Sequence, residues 1–223
     1  MLHKYLEIAS TPSVKAARRH WDSAAQYARL DGTNGPDDPV RNDRLGPAEI
    51  AFIVERDGFY LATVSETGWP YVQFRGGPPG FLRVLDETTL GYADLRGNRQ
   101  YITVGNAQVN NRVSLFLMDY AHQRRLKIFG RLSFVDAAED PELAARLSVA
   151  DHPGTVERAA LITVEAFDWN CPQHITPRFT QAELVEVLAP IRREIETLRA
   201  ENARQRSLIE SGKLTGRQMS RPE

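Results

Sequence analysis

Cysteine is nearly absent: Cys171 is the only one, so no intrachain disulfide can form. An excess of either charge is missing too, since 28 Lys and Arg face 29 Asp and Glu. Nucleic-acid-binding proteins generally carry a basic excess, so that partner class is not expected. No apolar run approaches the ~20 residues that a bilayer-spanning helix needs. The opening decapeptide MLHKYLEIAS contains Glu7 and lacks the apolar core of a signal peptide. Together these absences predict a cytoplasmic protein that does not enter a membrane. Metal ligands are scarce as well. Cys171 and His174 form a C-x-x-H, but zinc takes about four ligands and no second pair stands at ligand spacing. The same two residues make a poor nucleophile pair, because no acid is placed to orient the histidine. His20 and His122 have no identifiable partner and are expected at the surface. Pro78-Pro79-Gly80 is a turn; a phosphate loop would need more glycines ahead of a helix. Internal repeats and low-complexity tracts are lacking.

What is present is a β-rich middle. Hydrophobic residues make up 42% of the chain, an ordinary value for a globular protein. Its 223 residues allow one domain with a sizeable core and extra terminal elements. An aromatic and β-branched run at 59–64 is broken by Thr67-Gly68 and Trp69-Pro70, then resumes at 71–74, which is a hairpin signature. Runs at 81–85 and 89–93, joined by Asp86-Glu87, form a second pair, and 113–118 with 125–135 a third. Residues 158–167 alternate as another strand, with Ile162, Val164 and Ala166 on one face. Antiparallel strands at this spacing without a βαβ rhythm predict a small closed barrel.

Helices are expected around it. Val14, Ala17, Trp21, Ala25 and Ala28 recur at helical spacing over 13–30. Residues 31–44 read as a loop, either a surface connector or a flap over a site. A helix at 47–56 has proline in its first turn and an expected apolar face of Ile50, Ile53 and Val54. Residues 141–149 predict a further short helix. From Thr180 the composition turns helical: Thr180 and Glu183 make a capping box. Leu184, Ile191 and Leu198 repeat at seven, with Val187 and Ile195 beside them. Pro190 predicts two helices or a kink there, and the tail beyond 211 should fray. These signals divide the chain into an N-terminal helix and loop (1–46), a β domain (47–179) and a C-terminal helical extension (180–223).

Three stretches, ATVSETGWPYVQFRGGPPGF, TLGYADLRGNRQY and FDWNCPQHITPRF, resemble the pyridoxamine 5'-phosphate oxidase-like family of FMN-binding proteins. The resemblance spans roughly residues 47–179. It implies a mainly β, α+β fold: an antiparallel split β-barrel of the FMN-binding type with peripheral helices and a C-terminal helix. It also implies an FMN cofactor, a homodimer with the cofactor at the interface, and an oxidoreductase that takes hydride from a small molecule. Relatives that use a deazaflavin or haem, and a flavin carrier without turnover, are the alternatives.

The resemblance carries over to this chain residue by residue. Gln73, Phe74 and Arg75 lie on the strand beside the flavin. Tyr92 and Ala93 precede Asn98, Arg99 and Gln100, where the family holds the cofactor phosphate at a turn and helix start, an arrangement that suits an anion. Arg99 is the expected anchor, and Arg96 should point outward. Among Arg124, Arg125 and Lys127, the last two share a strand face near the flavin's pyrimidine edge, where a cation would steady the reduced ring; the residues alone also fit a solvated basic face. Trp169, Asn170, Gln173 and Arg178 complete the cofactor set, with Trp169 and Arg178 at the spacing of residues that reach the flavin across the dimer. The chain departs from the oxidases in two places. Gly76-Gly77 stands where a lysine is expected, and the segment QHITPR lacks an Arg-x-His. Oxidation of pyridoxamine phosphate itself is therefore not expected.

Overall fold

A computed structural model describes residues 2–28, 40–150, 154–169 and 173–211. The chain divides into two compact units, Met1–Pro177 and Arg178–Glu223. The first takes in both the N-terminal segment and the β domain.

Its frame is a seven-stranded antiparallel sheet. The strands are β3 (Gly58–Val64), β4 (Pro70–Gly76), β5 (Arg83–Asp86), β6 (Thr89–Leu95), β7 (Arg112–Asp119), β8 (Arg124–Asp136) and β9 (Val156–Trp169), after a short parallel pair formed by β1 (Leu2–His3) and β2 (Val40–Arg41). The order across the sheet is β4-β3-β7-β8-β9-β6-β5. The three expected hairpins are all present, in the pairs β3–β4, β5–β6 and β7–β8. The first turns at Ser65–Trp69, where Gly68 sits at φ +86° and its N–H donates to the Ser65 carbonyl at 2.9 Å. That left-handed geometry suits glycine.

The closed barrel expected from strand spacing does not form. The outermost strands, β4 and β5, are not paired with each other, so the sheet curls but stays open, a split barrel. Its curl is visible in the core. Phe59 of β3 packs edge-on against Tyr92 of β6 at 5.6 Å, and it stacks on Phe81 at 5.8 Å. Strands four places apart in the sheet order thus face each other. Leu61, Leu115, Leu117, Leu126, Ile128 and Ile162 are fully buried between them, each contributing roughly 1.5–3 kcal/mol.

Among the described residues there are seven helices: α1 (Lys4–Ala9), α2 (Pro12–His20), α3 (Ala24–Ala28), α4 (Pro47–Val54), α5 (Ile102–Val109) and α6 (Pro141–Leu147) in the first unit, and α7 (Gln181–Glu210) in the second. The single helix expected over 13–30 is two, because Asp22 turns left-handed at φ 56°. Trp21, read as part of its apolar face, is 78% exposed, so no burial sustains the helix through that point. The expected flap falls mostly in residues 29–39, outside the described residues. Helix α4 buries Phe52 and Ile53, whereas Ile50 and Val54, expected on its inner face, stay largely exposed. Phe52 is drawn inward by Trp169, which meets it edge-on at 4.8 Å. No described helix is long and apolar enough to cross a membrane.

In the second unit, α7 runs unbroken through Pro190. The expected division fails because one proline removes a single hydrogen bond, while 30 residues supply many others. Its capping box is present: Thr180 Oγ1 donates to Glu183 Oε2 at 2.9 Å and accepts from the Glu183 N–H at 3.2 Å. The tail beyond 211 lies outside the described residues.

One glycine sets how closely the long strands approach. At Gly130 the β8–β9 register shifts, and a Cβ there would lie 2.7 Å from the Thr163 carbonyl oxygen. Backbone cannot swing aside as a side chain can. Gly130→Ala is therefore expected to lower stability by ~1–3 kcal/mol, as overpacked sites do. Urea unfolding would check it; an unchanged midpoint would contradict the close approach.

Candidate functional site

The open side of the sheet concentrates charge. On the edge strand β4, Gln73 pairs in register with Leu61 and Arg75 with Phe59. Side chains of directly opposed residues share a face, so Gln73 and Arg75 point to the inner side of the sheet. Helix α5 lies against that side. Thr103 Oγ1 donates to Gln73 Oε1 at 3.0 Å, and the buried Asn106 donates from Nδ2 to Thr63 Oγ1 at 2.9 Å. These two bonds fix the helix to β4 and β3.

Asp94 of β6 holds the two margins together. It is almost fully buried. Its Oδ1 accepts from Arg75 Nη1 at 2.9 Å, and its Oδ2 accepts from Arg158 Nη2 at 2.8 Å and Nε at 3.1 Å. One carboxylate thus links β4, β6 and β9. The second carboxylate is Glu157, which accepts from Arg96 Nε at 2.9 Å, Arg158 Nη2 at 2.9 Å and the Tyr101 hydroxyl at 3.3 Å. The Arg96 bond is the main reason that the Glu157 carboxyl is held below its usual range. Burial alone would lower the pKa of Arg158, but Asp94 and Glu157 outweigh it and raise it.

Between β6 and α5 the loop is tight. Asn98 Oδ1 accepts from the Gln100 N–H at 3.1 Å, a local turn that asparagine favours. Arg99 at φ 59° and Tyr101 at φ 52° are both left-handed. That conformation costs side-chain-bearing residues roughly 1–2 kcal/mol each, and such strain gathers at functional sites. It turns Arg99 so that its Nε donates to the Tyr101 hydroxyl at 3.3 Å, a bond that raises the Arg99 pKa. Arg158 lies over the Tyr101 ring at 5.0 Å.

These groups line a cleft of about 220 Å³. Gln73, Arg75, Asn98, Arg99 and Gln100 all border it. A second hollow of about 260 Å³ shares Arg75 and Leu95 with the cleft and takes in Phe74, Tyr92 and Ala93. Phe74 turns its ring to the outer face beside Tyr60 and is 58% exposed. Tyr92 is buried in the core, and burial pushes its phenol pKa up. The Tyr92 hydroxyl and Arg75 Nε are buried with no hydrogen-bond partner among the described residues.

Other expected residues lie elsewhere. Arg125 is over the Phe116 ring at 5.6 Å. Lys127 pairs with Asp168 at 2.7 Å and lies over Tyr5, which itself stacks on Phe129 at 4.3 Å. The N-terminal segment thus covers part of the strand face that the sequence assigned to the flavin. Trp169 donates from Nε1 to Glu49 Oε1 at 2.7 Å and carries Arg124 over its ring at 4.8 Å, which ties α4 to the end of β9. Gln173 is exposed and does not border the cleft. Asn170 and Cys171 are outside the described residues, and Arg178 belongs to the second unit. Among the described residues, no group of three or more His, Cys, Asp and Glu is placed to hold a metal.

Asp94, Tyr101, Thr103, Glu157 and Arg158 escaped the sequence reading. Only Asp94 left a trace there, since it sits two residues after Tyr92 and so on the same inner face of β6. Chemically, the cleft offers guanidinium groups and polar hydrogen to an anion, and it restrains their charge with two acids.

The model of the family described as Pyridoxamine 5'-phosphate oxidase matches residues 47–167. No curated protein matches the chain. Several solved structures are similar to it. Tagged HupZ of Group A Streptococcus is 17% identical with a TM-score of 0.46, over 60% of this chain and 100% of that one. An FMN-binding protein of Syntrophomonas wolfei is 11% identical with a TM-score of 0.44, over 71% and 97%. A protein of Clostridium acetobutylicum related to general stress protein 26, of the pyridoxinephosphate oxidase family, is 16% identical with a TM-score of 0.38, over 57% and 87%.

Removing the charge of Asp94 leaves the partly buried Arg75 without a carboxylate and Arg158 with Glu157 alone. Asp94→Asn is expected to cost ~3–5 kcal/mol, as for a broken buried pair. Glu165→Gln, which breaks the exposed Arg131–Glu165 pair at 2.5 Å, should cost under ~1 kcal/mol. Thermal denaturation of the two variants would check this; equal losses would contradict the role given to Asp94.

Proposed function

Matched over more than half of its length, the chain belongs to the pyridoxamine 5'-phosphate oxidase family, and from that premise we propose that it is an FMN-dependent oxidoreductase whose cleft beside Asp94 receives the flavin's phosphate. The observation that carries this reading is the state of Arg99. Arg75, Arg96 and Arg158 are each bound to a carboxylate. Arg99 is exposed and spends only its Nε, on a neutral hydroxyl; it feels the charge of Glu157 but forms no ion pair among the described residues, which leaves the outer fork of its guanidinium for a ligand. A phosphate monoester is the ligand that such a fork recognises, through paired N–H···O bonds. Arg75 and Arg158, which border the same cleft, add positive potential from behind. The donor set therefore fits the group.

When bound, a flavin supplies two-electron acceptance from a small-molecule substrate at its ring. The chain's own share is to anchor the phosphate with Arg99, Asn98 and Gln100, to present Gln73 and Arg75 along β4, and to set the local charge. Phe81 and Tyr92 lie beside Leu95, Leu147, Val149 and Val156 in the adjoining hollow, which gives a flat ring apolar surface as well as the polar edge at Arg75 and Ser148. Neither hollow alone reaches the ~300–1,000 Å³ of a typical small-molecule site. A second copy of the chain would supply the missing wall. The outer faces of β3 and β4 favour one, since Tyr60, Val72 and Phe74 leave apolar surface open, and such patches mark interfaces.

The substrate is not pyridoxamine phosphate. A Cβ on Gly77 would lie 2.7 Å from the Phe81 ring, and one on Gly76 would lie 2.8 Å from the Phe74 ring. The glycine pair leaves this end of β4 without the cation that a second phosphate would need, and at Gly77 a side chain would have to displace the Phe81 ring.

Three measurements test the proposal. Arg99→Ala should weaken FMN binding by roughly tenfold to a hundredfold, the worth of ~1.5–3 kcal/mol for a charge-assisted contact. Arg96→Ala should weaken it less, since Glu157 already holds that side chain; equal dissociation constants for the two variants would refute the anchor. Light scattering should show a homodimer, and a monomer with a full complement of FMN would sink that arrangement. An oxygen-consumption assay with pyridoxamine phosphate should stay below ~1 s⁻¹, the low end of typical turnover; faster turnover would mean that the glycine pair does not decide the substrate.

A further inference from the structure

The cleft contains an acid where a phosphate-binding site would gain from having none. We propose that Glu157 sets the affinity and anion specificity of the cleft, by competing with an incoming phosphate for Arg96, Arg158 and Tyr101. The inference rests on the phosphate reading of the cleft and deepens it.

The geometry is that of an internal ligand. The Glu157 side chain is only 12% exposed. Both of its oxygens lie 3.3 Å from the Tyr101 hydroxyl, one is 2.9 Å from Arg96 Nε, and the other is 2.9 Å from Arg158 Nη2. Two guanidiniums and a hydroxyl converging on one carboxylate make the same kind of donor set that phosphate oxygens use. Tyr101 also connects Glu157 to Arg99, because its hydroxyl accepts from Arg99 Nε and donates to Glu157. Any anion that draws Arg99 or Tyr101 toward itself must therefore loosen Glu157.

Charge decides which anion can do so. Arg75, Arg99 and Arg158 line the cleft against Asp94 and Glu157, a balance of one positive charge; Arg96, bound to Glu157 from the rim, makes it two. Asp94 is committed to two arginines and ties β6 to β4 and β9, so Glu157 is the acid that the fold can release. A monoanion would gain little by replacing an equal charge. A dianionic phosphate monoester outbids the carboxylate and also fills the Arg99 fork. Rejection of the wrong ligand by like charge is a common route to specificity, and a competing internal acid keeps the bound ligand exchangeable.

Glu157→Gln removes the charge and keeps one carbonyl oxygen, enough for Arg96 or Arg158 but not for both, since the two bind different oxygens of the carboxylate. Two probes on the full chain separate the possibilities: inorganic phosphate, followed by thermal shift, and FMN against riboflavin, followed by flavin fluorescence. The variant is expected to bind FMN and phosphate about tenfold more tightly, from one unit charge removed near a dianion in a partly screened site. Riboflavin, which has no phosphate, should bind both forms alike. If FMN binds the wild type and E157Q binds it no more tightly, or if riboflavin shifts in parallel, the proposal is wrong while the flavin reading stands. If phosphate binds E157Q more tightly but FMN binds neither form, the proposal stands and the flavin reading falls. Failure of both phosphate and FMN to bind either form overturns both. Should E157Q fail to fold, Glu157→Ala is put through the same measurements, with the same outcomes.

Discussion

A single carboxylate between two guanidiniums holds the molecule's open side in place. Backbone hydrogen bonds close six of the sheet's neighbour contacts but none between β4 and β5. Asp94 bridges that gap from β6 to Arg75 of β4 and to Arg158 of β9. Taking three charges out of water is costly, and a buried pair is stable only when each lone pair finds a donor. Here three donor bonds from two arginines meet that condition. The bridge is directional, unlike apolar contact, so it fixes where one margin of the sheet stands relative to the other.

The position of α5 follows from that constraint. With β4 held in place, the helix lies against the inner face of the sheet, fastened by Thr103 to Gln73 of β4 and by Asn106 to Thr63 of β3. The loop that leads into it must then turn within a few residues, and two of those residues adopt left-handed backbone. Strain at Arg99 and Tyr101 is thus the consequence of a fixed sheet margin and a fixed helix. The result is a guanidinium that forms no ion pair among the described residues, beside three that are bound to carboxylates. Structure, charge and proposed chemistry meet at this point.

The opposite face of the sheet is organised by aromatic contact. Tyr5 stacks on Phe129, Lys127 lies over Tyr5, and His3 stands 3.5 Å from Asp168. These contacts lay the N-terminal segment over β8 and β9. At the far end of β9, Trp169 joins α4 through Glu49 and Phe52. Two side chains that the sequence suggested for a cofactor, Lys127 and Trp169, therefore have protein partners that account for their burial.

The sequence by itself determined whatever depends on near neighbours. Strand alternation, the Gly68 hairpin, the Thr180 capping box and the short helix at α6 each follow from residues within a few positions, so they were legible. The family resemblance located the strand with Gln73 and Arg75 and the turn with Asn98, Arg99 and Gln100. Tertiary structure decided the rest. Whether the sheet closes depends on whether its two margins reach each other, which no local pattern records. Which face of α4 turns inward depends on Trp169, and whether Pro190 divides α7 depends on the many hydrogen bonds on either side of it. The acids of the cleft were hidden for the same reason. Arg158 and Asp94 are 64 residues apart, and Arg96 and Glu157 are 61 apart. A charge on a strand is read from sequence as solvated until the fold brings its partner alongside, and only then does a carboxylate become a bridge or a competitor for phosphate.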